Sequence, residues 1–354
     1  TYKNDMDNYK NLKFDYLIID EAQNIKNPDS VITHAIKNIN AKSKFALTGT
    51  PIENNLLELW SIFDFIMPGY LYSKHRFEKI FVNNDKNLEL LKQMIKPFIL
   101  RRTKQEVLEE LPDKIENNIK IAFNKEEENL YIANLSQINS ELKTALDVER
   151  IDKIQILAMM TRLRQICCDA RILYNEIIGP SSKMKACLDI IKKAKENNQK
   201  VLLFSSFTSS LDLLEKELRK EDISYYVLTG ATNKIKRHQL VNAFQNDNTD
   251  VFLISLKAGG TGLNLTAASI VIHFDPWWNM SAQNQATDRA YRIGQTNNVQ
   301  VYKLIMKNSI EEKIQELQAQ KQDLSNIFIE NNDGSITKMS TADIISLFSI
   351  DQEG

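Results

Sequence analysis

Short apolar runs separated by stretches at helical spacing dominate the second half of the chain. The runs at 200–205, 224–228, 250–255 and 269–274 are rich in Val, Ile, Leu and Phe and show little polar alternation. That is the pattern of strands buried on both faces of a parallel sheet. Around them, 183–198, 208–220, 233–246 and 281–292 place apolar residues three and four apart, as amphipathic helices do. The alternation predicts a doubly wound α/β sheet. In the first half, 13–20 reads as a further buried parallel strand, 44–48 as a short strand and 56–65 as a helix. Residues 70–110 mix apolar and charged positions at helical spacing, with Pro68 and Pro97 as breakers, and 115–123 read as a strand. Residues 126–178 contain neither Gly nor Pro and suit long helices, so Gly179-Pro180-Ser181-Ser182 is the predicted linker and domain boundary. Beyond 309, Ile310, Ile314, Leu317 and Leu324 form one helical stripe, followed by a polar loop at 330–340 and a short capped helix ending at Phe348.

Bulk properties narrow the classes. With 354 residues the chain has room for two or more domains, and 43% hydrophobic with 26% charged residues is an ordinary globular balance. The formal charge is 45 − 46 = −1, so any nucleic-acid surface is a local patch and not a basic whole. No apolar run approaches a membrane span, and no signal-peptide pattern is visible. Cys167, Cys168 and Cys187 have no zinc-site spacing and are an odd number, which predicts reduced thiols and a cytoplasmic location. The four histidines are scattered, without spacing for a metal or a catalytic pair.

Three stretches carry chemistry. The strand at 13–20 ends in Asp20-Glu21-Ala22-Gln23, at the strand end where α/β proteins place ligands. Such an Asp can hold Mg²⁺ through water and such a Glu can orient an attacking water; a helix cap is the alternative for the pair alone. The strand at 250–255 runs into Lys257-Ala258-Gly259-Gly260-Thr261-Gly262-Leu263-Asn264, where glycines let backbone N–H groups approach phosphates. The helix predicted at 281–292 carries Arg289 and Arg292 three apart, on one face, able to address one anion or to pair with nearby acids.

Taken in order, DEAQ, LTGTPIENNLLELWSIFDF, FILRRTKQEVLEELPDK, LRQICCDARIL, KVLLFSSFTSSLDLLEKEL, LTGATNKIKRHQLVNAFQ and the glycine and arginine stretches resemble the Swi/Snf-type ATPases, a branch of the superfamily 2 helicase-like motors. The resemblance spans residue 15 to about 315. It implies RecA-like P-loop NTPase lobes, the second complete and the first partial, with helical insertions. The implied divisions are a partial first lobe at 1–70, a helical insertion at 71–114, the lobe end and helical linker at 115–179, the second lobe at 180–308 and bracing helices at 309–354. It further implies ATP and Mg²⁺ as cofactors, with Asp20 holding Mg²⁺ through water, Glu21 positioning water, and Arg289 and Arg292 as arginine fingers. Gln285, Gly262, Asn264, Thr48, Gly49 and Thr50 would contact or sense nucleotide. Ser205, Ser206, Thr229, Gly230, Arg237, Lys257, Gly259, Gly260 and Thr261 would face double-stranded DNA. The implied activity is ATP-driven movement along duplex DNA, with a displaced protein as a further partner.

The family's G-x-x-x-x-G-K-[ST] loop is missing: none of the ten glycines is followed by Lys. The chain begins at Thr1 and reads as part of something longer. Alone it is expected to hydrolyse ATP barely, and its first strand to expose an edge prone to self-association. A non-catalytic nucleic-acid-binding module and a DEAD-box-type RNA helicase are the competing readings. The long helical segment between the lobes and the Arg292-Ile293-Gly294-Gln295 ending argue against the latter.

Overall fold

The computed structural model describes residues 12–49, 56–82, 87–102, 108, 111–147, 153–259, 262–277, 280–316 and 348. They form two compact units that part after Arg102. In the first, β1 (Phe14–Ile19) pairs in parallel with β2 (Ala41–Ala46), joined through α1 (Val31–Lys37). Ser30 starts α1 by accepting from the Thr33 amide, the usual N-cap arrangement. Helices α2 (Leu56–Ile66) and α3 (Leu88–Ile95) build the core of this unit around Leu59, Phe63, Phe77, Phe81 and Leu91. Trp60 is buried there and donates its indole N–H to the Tyr72 carbonyl. The expectation that β1 is buried fails on one face: Tyr16 is 67% exposed and Ile18 60%, beside exposed Phe45 of β2. Among the described residues β1 has one neighbour strand, so its other edge is unpaired there.

The second unit is a six-stranded, all-parallel sheet of order β3-β8-β7-β4-β6-β5. Its strands are β3 (Lys114–Ile121), β4 (Lys200–Ser205), β5 (Tyr225–Leu228), β6 (Val251–Ser255), β7 (Ala268–His273) and β8 (Val299–Met306). Its helices are α4 (Lys125–Asp147), α5 (Lys153–Cys168), α6 (Ser182–Glu196), α7 (Thr208–Lys220), α8 (Lys234–Asn246) and α9 (Met280–Thr287). Successive β4 residues serve opposite layers. Val201 and Leu203 pack with Leu188, Leu211 and Leu214, while Leu202 and Phe204 pack with Phe244, Phe252 and Ala286. Burial on both faces explains the unbroken apolar runs of β4, β6 and β7.

Two expectations change. Residues 115–179 do not close the first unit: β3 pairs with β8 along all eight of its positions, and α4 and α5 belong with it. Its mixed composition, with Glu116 held between Lys114 and Lys303, is that of an edge strand. β8 was hidden from periodicity because half-buried Gln300, Tyr302 and Lys303 interrupt its apolar positions. The stretch at 179–182 is a capped turn at the start of α6. Ser181 donates to the Cys168 carbonyl and accepts from the Met184 amide, and Asp169 takes the Ser181 N–H. Finally, α9 ends at Thr287, so Arg289 and Arg292 do not share a helix face; they lie in turns closed by Gly294 at φ +99°. The bracing helix is present over 310–316 with Ile310 and Ile314 buried; Leu317, Leu324, the loop at 330–340 and the segment 341–347 lie outside the described residues.

Candidate nucleotide-binding segments and nucleic-acid interface

In the first unit the chain leaves β1 at Asp20, whose exposed carboxylate accepts the Glu21 N–H at 2.9 Å. Glu21 adopts a left-handed backbone, φ 51° and ψ 55°, an uncommon conformation for a non-glycine residue that concentrates at functional turns. The turn directs the next residues into a short 3₁₀ segment, Ala22–Ile25, pinned by Ser61 donating to the Ile25 carbonyl. Gln23 then links two motifs. Its amide nitrogen donates to Glu21 Oε2 at 2.5 Å, and its amide oxygen accepts from Thr48 Oγ1 at 2.7 Å. The backbones are tied as well, Ala22 N–H to the Leu47 carbonyl and Leu47 N–H to that of Ile19. Glu21 and Thr48 are therefore mechanically connected. Gly49 is exposed with open space around it; Thr50 lies outside the described residues. The Asp20 carboxylate suits a magnesium ion that keeps most of its water. Among the described residues no group of three or more His, Cys, Asp or Glu could hold a metal ion.

In the second unit β6 runs into the single helical turn Leu256–Gly259. A Cβ on Gly259 would lie 2.9 Å from the Phe204 ring, so this glycine is required by packing against β4. Lys257 points outward and is exposed; Gly262 and Asn264 are exposed beyond it, and Gly260 and Thr261 lie outside the described residues. Arg289 is buried and donates Nε–H to the Gly259 carbonyl at 3.1 Å, while Arg292 is exposed. The two arginines thus have different surroundings: one ties the glycine turn to the segment after α9, the other faces solvent. Gln285 is half-buried on α9.

The DNA-facing candidates divide similarly. Thr229 and Gly230 end β5, where Thr229 and Thr232 exchange hydrogen bonds and leave Gly230 exposed. Arg237 is half-buried on α8. Ser205 and Ser206 end β4 but both hydroxyls donate to Asp275, and Ser205 is buried. Lys183 on α6 is fully buried against Glu311.

Two residues escaped sequence reasoning. Gln295 is buried, donating to the carbonyls of Thr266, Ala268 and Ala290 and accepting from the amides of Thr296 and Asn297. It fastens the arginine turn to the start of β7. His273 is buried on β7, stacks on Phe204 and meets Thr287 Oγ1 at 2.8 Å. Burial, reinforced by Lys303, lowers its pKa to about 3, so it is neutral. The signal for both was present only as a polar residue beside an apolar run.

An open parallel sheet, an acidic turn after a strand and an arginine turn after a glycine-rich one are features of an α/β fold with RecA-like lobes. The SNF2-related domain family matches residues 1–172 and the helicase conserved C-terminal domain residues 182–294. The SWI2/SNF2 ATPase core of Sulfolobus solfataricus, solved in complex with dsDNA, is 36% identical with a TM-score of 0.55, over 97% of this chain and 74% of that one. The chain belongs to the SWI2/SNF2 family. An uncharacterized ATP-dependent helicase of Mycoplasma pneumoniae is 42% identical over 95% of the chain and 32% of its own length. The putative ATP-dependent helicase/translocase YwqA of Bacillus subtilis is 38% identical over 98% and 39% respectively. The chain thus spans about a third of the length of the curated relatives it matches.

Proposed function

We propose that this chain is part of an ATP-driven translocase on double-stranded DNA, its two units each contributing to one RecA-like lobe. The observation that carries the reading is the Glu21–Gln23–Thr48 connection beside an exposed Asp20. It joins a water-orienting carboxylate to the strand end that would sense nucleotide. Magnesium, held through water by Asp20, would neutralise phosphate charge. Glu21 orients and deprotonates the attacking water, and the left-handed turn fixes its direction. Arg292 is exposed and free to address the developing phosphate charge; Arg289 positions the glycine turn through Gly259. Exposed Lys257 and Gly230, with Arg237, supply the sequence-independent contacts that a phosphate backbone takes.

No glycine here is followed by lysine, so the loop that cradles the β- and γ-phosphates is not supplied by these residues. The isolated chain therefore binds duplex DNA without appreciable turnover. A fluorescent duplex titrated with the 354-residue chain should bind with an affinity that falls as salt rises. In a longer form carrying the GK[ST] loop, E21Q should lower DNA-stimulated ATP turnover by about 10²–10⁴-fold while DNA affinity holds. Preference for single-stranded RNA would favour the DEAD-box-type reading, and DNA-stimulated turnover by the isolated chain would refute the division of labour stated here.

A further inference from the structure

In open parallel sheets the crevice at the point where strand order reverses is the usual ligand position. Here that point lies between β4 and β7, from which the chain builds outward in opposite directions. Protein fills it. Arg164 near the end of α5 is buried, and one terminal nitrogen of its guanidinium reaches three acceptors: Ser206 Oγ at 3.0 Å, Asp275 Oδ2 at 3.2 Å and the Pro276 carbonyl at 2.9 Å. Its guanidinium carbon lies 4.9 Å from the Phe207 ring centre and 5.5 Å from that of Trp277. Asp275 in turn accepts from both serine hydroxyls and from the Ser206 amide at 3.0 Å. The guanidinium therefore touches both strand ends at once, through backbone, side chain and ring.

The two ends lead to different work. The end of β4 carries Ser205 and Ser206, which the family resemblance places on the DNA side, and after Asp275 come α9, Gln285 and the arginines that it places at nucleotide. We infer that Arg164 is a positioning residue that locks the end of β4 to the end of β7, so that a change at the DNA-facing end reaches the nucleotide-facing segment through one buried guanidinium. A planar guanidinium can lie against the flanking rings while its terminal nitrogen donates; a lysine keeps the charge and loses the flat face. The inference rests on the functional reading for what each end contacts, not for the lock itself.

Amide hydrogen exchange on the 354-residue chain separates the two. Without DNA, R164K should speed exchange at least about tenfold both at 205–208 and at 280–290, while β6 keeps its protection. Loosening of one end only, of neither, or of the whole sheet together would overturn the lock. Should R164K fail to fold, S206A, which removes one acceptor and spares the buried charge pair, should loosen the same two ends by a smaller factor. With a short duplex added, the unmodified chain should gain protection at both segments and R164K at 205–208 alone. Equal transmission in R164K would refute the inference. If the duplex does not bind the unmodified chain, the functional reading falls, and the DNA-free comparison still decides the lock.

Discussion

Lys183 and Glu311 are the one ion pair among the described residues with both side chains fully buried, and the effect of breaking it can be worked from its surroundings. Lys183 Nζ lies 2.6 Å from each Glu311 oxygen, and Glu311 Oε2 also accepts the Met306 amide at 2.9 Å. Burial opposes the Lys183 charge, but Glu311 outweighs it and holds the ammonium above its ordinary pKa. The pair joins α6 to the helix at 310–316, which Tyr131 also holds by accepting the Ile310 amide. Replacing Lys183 with Met leaves a carboxylate in an apolar core, a change that costs about 3–5 kcal/mol. K183M/E311Q removes both charges and keeps an acceptor for Met306, so most of that loss should return. The buried cysteines supply the assay, because Cys167, Cys168 and Cys187 all lie in this unit's core. Their labelling in urea reports its unfolding without a contribution from the first unit. With a slope of about 2–3 kcal/mol per molar urea, K183M should lower the midpoint by about 1–2 M and the double variant by much less. A single variant as stable as the parent, or a double variant no better than the single, would refute the reasoning.

Other outcomes follow from the same kind of reading. His273 is held neutral with a pKa of about 3 against an ordinary 6.5, so the unfolded chain takes up a proton that the folded one refuses. Its contribution is complete above about pH 6.5 and lost as pH falls toward 3, costing several kcal/mol in all; H273Q should flatten the acid limb of stability against pH. Glu116 behaves similarly over a lower window. Burial works against its charge, yet hydrogen bonds from Lys114 and Lys303 hold its pKa at about 2. This partly exposed group contributes about 1 kcal/mol after solvent screening, present above about pH 4.5 and lost toward 2, and E116Q should abolish that slope. G259A should cost about 1–3 kcal/mol in thermal or urea unfolding, because its Cβ meets the Phe204 ring at 2.9 Å. All three thiols are buried with pKa values raised chiefly by burial, so a thiol reagent at pH 8 should label none until the unit unfolds.

What could be read in advance follows from which interactions are local. β4, β6 and β7 were legible because strands covered on both faces need apolar residues at every position, a demand visible in a single run. β3 and β8 were harder because each satisfies only part of that demand. β3 is an edge with exposed Ile115 and charged Glu116, and β8 interrupts its apolar positions with half-buried polar ones. The arginine turn reads as helix in the sequence because Thr287 and Gln295 end it through tertiary bonds, to His273 and to the distant Thr266 and Ala268 carbonyls, that no local propensity encodes. Arg164, Lys183, Asp275 and Glu311 show the same limit. By sequence they are ordinary charged residues, and their partners lie 111 and 128 positions away. A buried charge is tolerated only with such a partner, so the residues hardest to read locally are those that fasten one element to another. In this unit they converge on the ends of β4 and β7 and on the start of α6, where movement of one segment must be passed to the next if nucleotide and DNA are to be coupled.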